Sequence, residues 1–461
     1  MNKQEKIILF LGNADSDAST AKLKATNKLY KRKMLESGID NWTSIIKVFD
    51  DYDVTCVVTK LTKASFEALA SKDYLDVADD LLTKVSQVPN LIMAHESLLK
   101  GIRPAPYKEE RKKRNKNDEN YEEYLGYVES DINRMFSPPS ADVIESVKNI
   151  LNKYNLTPIP YSKNAELSTV TSSFIEQNEH NLIFRVYVPS ERIWASEAEK
   201  LLQLFRDYLQ QASGLSARHD QYKTNNGVVH EFYGDDEIAS SSLTEKFNEF
   251  STFMDTCISD PEMAEKSLVL SSLNNREVSD LVSKYSKEAR RLHIDLKHER
   301  ERKLLNIRHN LEADLSEFVN DAKDWEVLYE IVENNIPPIV GVSSALLSSV
   351  RNAPIAPAQN IYINPQVIET VNGIVAKEIS GTVNLAPEAK QLLSLIEQHS
   401  EEKSKSDLTS AVHELTDEQV KEKDRMTAKQ KLKGFLISAG SKIGDVSAGV
   451  LQTYVESQIG L

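Results

Sequence analysis

The sequence predicts a multidomain fold with an N-terminal parallel α/β sheet domain, a small antiparallel α+β domain, and a long helix followed by a helical C-terminal region. Three observations predict it. A chain of 461 residues is too long for a single hydrophobic core. Short β-branched runs alternate with amphipathic segments over the first hundred residues. The stretch from Arg276 to Ala322 contains no Gly or Pro, and its apolar residues recur at steps of three and four, as on one face of a helix.

Composition limits the classes of function. A hydrophobic content of 40% with 27% charged residues is typical of a globular chain, and a net charge of −14 argues against nucleic acid as a partner of the whole surface. Cys56 and Cys257 lie far apart without a CxxC pattern, which disfavours a disulfide framework or a thiolate metal site. No run of eighteen apolar residues and no signal-peptide pattern are present. We therefore expect a cytoplasmic protein without an integral membrane segment.

The first domain, residues 1–103, has the pattern of a Rossmann-like parallel α/β sheet. Its apolar runs predict strands at Ile7–Leu11, Val54–Thr59 and Leu91–Ala94. Helices are predicted at Ala18–Ser37, Trp42–Asp50, Ser65–Ala70 and Leu75–Val85. Strands separated by helices indicate parallel pairing. Because three strands are few for such a sheet, we expect either further strands that the pattern does not show or a small domain.

Residues 104–140 are predicted to be a charged linker. The segment from Pro104 to Asn120 contains almost no apolar residue, which is typical of an exposed connection. Its cations could form a weak nucleic-acid or phosphate-binding arm, although Glu109 and Glu110 dilute their field. The candidate residues of this arm are Lys108, Arg111, Lys112, Lys113 and Arg114.

Residues 141–236 predict the small α+β domain with an antiparallel sheet. The dipeptide Asn226-Gly227 between two alternating segments is a strong hairpin signal. The predicted strands are Leu167–Ile175, Leu182–Val188, Arg218–Tyr222 and Val228–Tyr233, and the predicted helices are Val143–Tyr154 and Ser196–Gln211.

Residues 237–338 predict a helical region that contains the long helix 276–322. Its coiled-coil-like apolar seam divides into two halves, Val278 to Leu296 and Leu304 to Phe318, around the charged sequence KHERERK. This pattern predicts a strut with two packing surfaces and a solvated middle. The HERER sequence lacks the second His of a zinc motif, so no metal site is predicted. Shorter helices are predicted at Leu243–Thr256, Pro261–Leu270 and Trp325–Glu333.

The last part of the chain is predicted to be a connector and a helical tail. Residues 339–386 are rich in Ser and Pro, with short strand-like fragments IYI, GIVAKEI and GTVNL. Residues 387–461 predict helices, including Pro387–Gln398 and Asp407–Leu415. From Leu432 onward the residues are small and apolar. We expect this tail to pack on its own protein or on a second copy, with a membrane surface as the alternative.

Candidate chemical groups follow the predicted strands of the first domain. Gly12-Asn13 and the nearby Asp15 and Asp17 follow the first strand, and His95-Glu96 ends the third. The carboxyl ends of parallel strands meet at one edge, where α/β proteins bind nucleotides. We assign Asp15, Asp17, His95 and Glu96 as candidate catalytic residues, and Gly12 and Asn13 as candidate cofactor-binding residues. No phosphate-binding motif is present and no cofactor is identified, and the acidic residues could equally cap helices.

The opening strand ILFLGNAD, the alternating helices behind it and the helical parts that follow are similar to the architecture of TIR-type and related α/β modules in bacterial anti-phage effectors. This resemblance covers residues 6 to 102. ILFLGNAD stands where such modules usually carry a Ser/Tyr-rich opening. The resemblance implies an effector-like front domain, NAD cleavage as the family's activity, and a catalytic Glu for which Glu96 is the candidate.

Three functions remain open at this stage. The first is a cytoplasmic sensor, effector or interaction protein in bacterial phage defence or stress signalling, which forms a homo-oligomer or binds a protein partner through its helices. The second is an enzyme that hydrolyses or transfers a nucleotide or phosphate ester at the edge of the first sheet. The third is a nucleic-acid binder that acts through residues 108–116.

Overall fold

A computed structural model describes residues 5–14, 17–102, 136–179, 182–190, 192–212, 217–234, 240–268, 274–319, 321–336, 385–443 and 445–459, and the single positions 339, 341, 367, 370–371, 374–375 and 378. The chain divides into two compact units. The first unit contains Met1–Glu179 and Lys421–Leu461, and the second contains His180–Val420. The predicted division into six segments therefore does not match this grouping, because residues 141–179 and the tail from Lys421 belong with the N-terminal sheet.

The first unit is organised around a five-stranded parallel sheet, which confirms the predicted fold class. Its strands are β1 (Lys6–Leu11), β2 (Leu29–Lys33), β3 (Asp53–Leu61), β4 (Asn90–His95) and β5 (Ile159–Tyr161). They lie in the order β2-β1-β3-β4-β5, and every neighbouring pair is parallel. This doubly wound order has its switch point between β1 and β3, and ligands in such sheets bind outside the carboxyl ends of the strands.

Helices cover both faces of this sheet. They are α1 (Asp17–Ala25), α2 (Ile39–Asp51), α3 (Lys63–Ala70), α4 (Leu75–Ser86), α5 (Glu96–Lys100), α6 (Ala141–Lys153), α7 (Asn164–Glu179), α15 (Glu422–Ile443) and α16 (Asp445–Ser457). Ile7, Leu9 and Leu11 pack with α2, α3, α4 and α6 in one core. The alternate residues point to the other face, where α7 contacts β3, β4, β5, α1 and α15. Burial on both faces explains why the central strands are continuous apolar runs.

Two predicted elements of this unit are wrong. The predicted helix Ala18–Ser37 ends at Ala25, because Asn27 adopts a left-handed conformation with φ 55°, and the following LYKRK sequence forms the edge strand β2. The predicted strand Leu167–Ile175 is part of helix α7. Its buried residues Leu167, Val170 and Thr171 recur at helical spacing, so packing on the sheet outweighs the β-branched preference.

The second unit contains a three-stranded antiparallel sheet. Its strands are β6 (Leu182–Pro189), β7 (Ala217–Lys223) and β8 (Gly227–Gly234), in the order β6-β8-β7. The predicted hairpin between β7 and β8 is present, and the Thr224 amide donates to the Gly227 carbonyl at 2.9 Å. Gly227 is required at this turn, since a Cβ there would overlap the Tyr187 ring.

Helices make up the rest of the second unit. They are α8 (Ala195–Ala212), α9 (Ser240–Ser259), α10 (Pro261–Leu268), α11 (Asn275–Leu315), α12 (Ala322–Asn335), α13 (Pro387–His399) and α14 (Glu402–Thr416). Their main core joins Phe205 and Phe232 to Phe250, Phe253 and Tyr285. The aromatic residues of α9 therefore pack in the core.

The long helix α11 has 41 residues and is about 60 Å long. Asn274 caps its first turn together with Glu277, and the helix ends at Leu315, before the predicted Ala322. The seam residues are buried as predicted from Val278 to Leu296 and from Leu304 to Leu315, whereas Phe318, beyond the end of the helix, is 55% exposed. The middle is not wholly solvated, because Lys303 is 7% exposed and its Nζ lies 3.1 Å from the Glu378 carboxylate.

The connector and the basic linker are described only in part. Described positions 374, 375 and 378 are helical, so the strand predicted for GIVAKEI is wrong there. The IYI fragment and nearly all of GTVNL lie outside the described residues. So do residues 103–135, which include the candidate cations Lys108, Arg111, Lys112, Lys113 and Arg114. No helix in the described part of the chain has the length and hydropathy to cross a membrane.

Candidate functional site

The turn after β1 occupies the carboxyl edge of the parallel sheet, as predicted. Gly12 and Asn13 both adopt left-handed conformations, with φ 69° and 54°. A Cβ on Gly12 would overlap the carbonyl oxygen of Lys60 on the neighbouring strand β3, so the close approach of β1 and β3 requires glycine. Asp17 is the first residue of α1, and its side chain is not among the described groups. Asp15 lies outside the described residues.

His95 lies at the carboxyl end of β4 and is 5% exposed. Its Nδ1 is 2.7 Å from the Ser97 hydroxyl and accepts from the Ser97 amide at 3.3 Å, so this side chain caps helix α5. The imidazole packs on the rings of Phe136 and Tyr161, with centroids 4.7 and 5.5 Å away. Burial lowers the pKa of His95, which keeps the ring neutral at pH 7.

Glu96, the next residue, is held between two lysines. Its Oε2 accepts from Lys100 at 2.6 Å, and its Oε1 pairs with Lys433 of α15. Lys433 is 1% exposed, and its Nζ also lies 3.3 Å from the Glu456 carboxylate of α16. Burial opposes ionisation of Glu96, but the Lys433 charge and the two lysine hydrogen bonds outweigh it, so the pKa of Glu96 is lowered. Glu96 is therefore a paired carboxylate at pH 7.

A second buried carboxylate lies beside β5. Glu166 Oε2 accepts hydrogen bonds from the Ser162 amide at 2.9 Å and the Ser162 hydroxyl at 3.1 Å. Its other oxygen lies 3.4 Å from the Nζ of Lys429, which is 4% exposed. Burial raises the pKa of Glu166, whereas the Ser162 backbone hydrogen bond and the two α15 lysines lower it, and the net direction is down.

Helix α15 supplies the cations for both carboxylates. Lys429 and Lys433 are four residues apart, so they lie on the same face of the helix. We name the set of buried ion pairs formed by Glu96, Glu166, Lys429 and Lys433 the edge clamp. The sequence does not predict these ion pairs, because Lys433 is 337 positions from Glu96. The available signal was that Lys429 and Lys433, two of the three lysines in MTAKQKLKGFL, are spaced four residues apart among apolar residues of a helical tail.

The structure therefore brings some predicted residues together and separates others. His95 and Glu96 share an edge with Gly12 and Asn13, but β3 lies between β4 and β1. His95 caps helix α5, and Glu96 forms buried ion pairs with Lys100 and Lys433. Both side chains therefore have a structural role in the fold. A surface depression of about 540 Å³ on α6, which includes Asp142 and Lys153 in its lining, contains none of the predicted site residues.

A second polar cluster ties α14 to the antiparallel sheet of the second unit. Arg185 on β6 pairs with Glu231 on β8 at 3.2 Å and with Glu414 on α14. The Tyr187 hydroxyl donates to Asp417 at 2.8 Å, and both residues are buried. Burial and the hydrogen bond to Asp417 raise the pKa of Tyr187. None of these contacts is predicted from the sequence, since the α14-side partners Glu414 and Asp417 lie more than two hundred positions from Arg185 and Tyr187.

No set of three His, Cys, Asp or Glu side chains in the described part of the chain is placed to hold a metal ion. Comparisons of the chain with protein-family models, with curated proteins and with solved structures found no match.

Proposed function

We propose that this chain is a multidomain sensor or interaction protein in which the second unit binds a partner or ligand and the first unit responds at the carboxyl edge of its sheet. The observation that carries this proposal is the connectivity. The second unit interrupts the first between α7 and α15, and these two helices pack against each other and hold the edge clamp.

The two helices meet where the chain leaves and re-enters the first unit. Lys423 near the start of α15 pairs with Glu176 near the end of α7 at 2.9 Å. Further along, α7 carries Glu166 and α15 carries Lys429 and Lys433. A shift of α15 along α7, driven through the connections at residues 179–182 and 420–422, would separate these buried partners.

The clamp favours two discrete states over a gradual change. Breaking a buried ion pair so that one charge remains unpaired costs about 3–5 kcal/mol. Partial displacement of α15 is therefore disfavoured, and the helix is either seated or released. A partner or ligand that binds the second unit can shift the equilibrium between seated and released α15. The size of the shift is limited to the difference between its binding free energies for the two states.

The alternative enzymatic function is less well supported by the same geometry. Among the described titratable groups at the predicted site, His95, Glu96, Glu166, Lys429 and Lys433 each have a partner within the fold. The Gly12-Asn13 turn at the switch point stays the place where a small ligand would fit. A role in phage defence or stress signalling, and a cytoplasmic location, stay predictions.

Hydrogen exchange of the full chain tests the proposed coupling. Glu456→Gln weakens the clamp from a half-exposed position, and Lys433→Met breaks it. We expect faster exchange in α5 and α15, and also in β6 and α14, which flank the connections in the second unit. Lys84→Met, which breaks an exposed ion pair with Asp50, is the control and should change exchange only locally. If both clamp variants alter exchange in the first unit alone, the proposal is wrong.

A further inference from the structure

We propose that the exposed face of helix α11 is an interface at which two copies of this chain pair as antiparallel helices about a two-fold axis. Two apolar side chains on this face, Ile294 and Leu305, are 51% and 65% exposed. Leu292 and Leu296, each two positions from Ile294, are buried, because two residues turn an α-helix by about 200°. The face therefore lies opposite the buried seam, and its pairing does not depend on the proposed response of the first unit.

The spacing of residues on this face is that of a second seam. Ile294 and Leu305 are about three helical turns apart, so their side chains project in nearly the same direction at a separation of roughly 16 Å. His298 and Glu301 lie between them at steps of four and three, and both are exposed. Such steps form the heptad pattern by which helices pair in a coiled coil. Single exposed apolar residues are common on protein surfaces, whereas two on one such line indicate an interface.

The order of side chains along the face fits a second copy in the antiparallel direction. With the two-fold axis between positions 299 and 300, Ile294 of one copy lies opposite Leu305 of the other, and the same contact forms on the far side of the axis. The two central layers of this register place His298 opposite Glu301, and these side chains can form a hydrogen bond. A parallel pair in register would place the two Glu301 carboxylates opposite each other, where like charges repel.

Charges towards the ends of the face also favour the antiparallel direction. Lys287 lies two turns before Ile294, Glu312 lies two turns after Leu305, and both charged side chains are exposed. The same register places Lys287 of one copy opposite Glu312 of the other. The Tyr329 hydroxyl of α12 donates to Oε1 of Glu312, so Oε2 can accept from the lysine. Opposite charges of this kind set the orientation of paired helices.

One layer of this register is unfavourable, because it places Arg291 opposite Arg308. Each guanidinium group has a partner in its own chain. Arg291 lies 3.2 Å from the Glu288 carboxylate. Arg308 lies over the Tyr329 ring, 5.0 Å from its centroid, and 3.7 Å from the Glu333 carboxylate. These contacts reduce the repulsion, and with few apolar layers we expect a weak dimer that dissociates in the micromolar range.

Sedimentation equilibrium of the full chain across the micromolar range tests the interface. We expect a wild-type mass that rises from 52.0 kDa towards twice that value, and Ile294→Glu or Leu305→Lys should weaken association at least about tenfold. The double variant Ile294→Glu/Leu305→Lys places a glutamate opposite a lysine in both apolar layers and should restore the dimer. Met263→Glu changes an exposed apolar side chain of α10 and is the matched control, which should dimerise like the wild type.

Three results would overturn the proposal. The wild-type chain could stay a monomer, either single variant could dimerise as well as the wild type, or the double variant could fail to recover the dimer. Circular dichroism checks that each variant keeps the helical content of the wild-type chain, which we expect because the replaced side chains are exposed.

Oxidative cross-linking reports the direction of pairing. The chain's own cysteines, Cys56 and Cys257, are buried, so introduced cysteines are the accessible thiols. An oxidised mixture of Ile294→Cys and Leu305→Cys chains should give a disulfide-linked dimer, since the register places these positions opposite each other. Ile294→Cys alone should give little, because the two thiols would lie roughly 16 Å apart, beyond the reach of a disulfide. Equal cross-linking of Ile294→Cys alone would indicate a parallel pair and refute the antiparallel interface.

Discussion

Lys433→Met is the sharpest test of the edge clamp, because this lysine is 1% exposed and pairs with two glutamates. The substitution keeps the length of the side chain and removes its charge. Glu96 would then retain only Lys100, and it is only 12% exposed. Removal of one partner of a buried pair costs about 3–5 kcal/mol. Since Lys100 remains in place, we expect a loss near the lower end of that range, about 3 kcal/mol.

Urea unfolding of the full chain measures this loss, with the first unit followed by hydrogen exchange of its strands. The control Lys84→Met removes an exposed lysine that also has a carboxylate partner, and it should change stability by less than about 0.5 kcal/mol. A double-mutant cycle with Glu96→Gln should show that the two losses are not additive. A Lys433→Met loss below about 1 kcal/mol, or additive losses, would refute the view that these charges hold α15 in place.

Four further predictions follow from single features of the structure. Gly12→Ala should destabilise the first unit by about 1–3 kcal/mol in urea unfolding, because of its left-handed backbone and the nearby Lys60 carbonyl, whereas Gly38→Ala, with open space around it, should be close to neutral. Asn274→Ala should cost about 1 kcal/mol by loss of the α11 cap. The pKa of Glu166 is lowered in the folded state, so its ionised carboxylate stabilises the fold above the unfolded pKa of about 4.3, and this contribution is lost as the pH falls. Glu166→Gln should therefore make the free energy of unfolding less dependent on pH in the acid range. Light scattering should give a mass above the 52.0 kDa monomer at micromolar concentration, and a monomer would contradict the predicted oligomer.

The central strands could be predicted from the sequence because burial on both faces leaves a continuous apolar run. The edge strands could not. β2 has the sequence LYKRK, whose side chains are exposed or half-buried, and such charges are typical of strands that must avoid pairing with other chains. β5 has only three residues, one of which is Pro160. Neither strand carries a hydrophobic period, so both are defined only by the neighbouring strand that they contact.

Helix α7 shows how tertiary packing decides between two local readings. The segment LSTVTSSFI is rich in β-branched residues, which favours a strand. In the fold its buried side chains, from Glu166 to Ile175, cover the sheet at helical spacing, and Thr171 contacts Met93 of β4. Strand propensity is a weak preference, and a strand here could not have placed Glu166 beside Lys429 while covering β3 and β4.

The candidate site illustrates the limit of reasoning along the chain. The order of strands and turns correctly placed His95 and Glu96 at the carboxyl edge, and their chemistry suggested catalysis. What changes the interpretation is the environment of Glu96, which depends on lysines near the other end of the sequence. A local pattern shows that a charged residue is present. It does not show whether a distant residue neutralises it.

The two units also differ in charge. The segments 1–179 and 421–461 contain 32 Lys and Arg and 31 Asp and Glu, whereas residues 180–420 contain 24 and 39. The net charge of −14 therefore belongs to the second unit. A surface of one sign raises the local concentration of cations and of basic partners, and this attraction weakens with ionic strength. The unit proposed to bind a partner or ligand is thus the acidic one, and its partners should be neutral or basic.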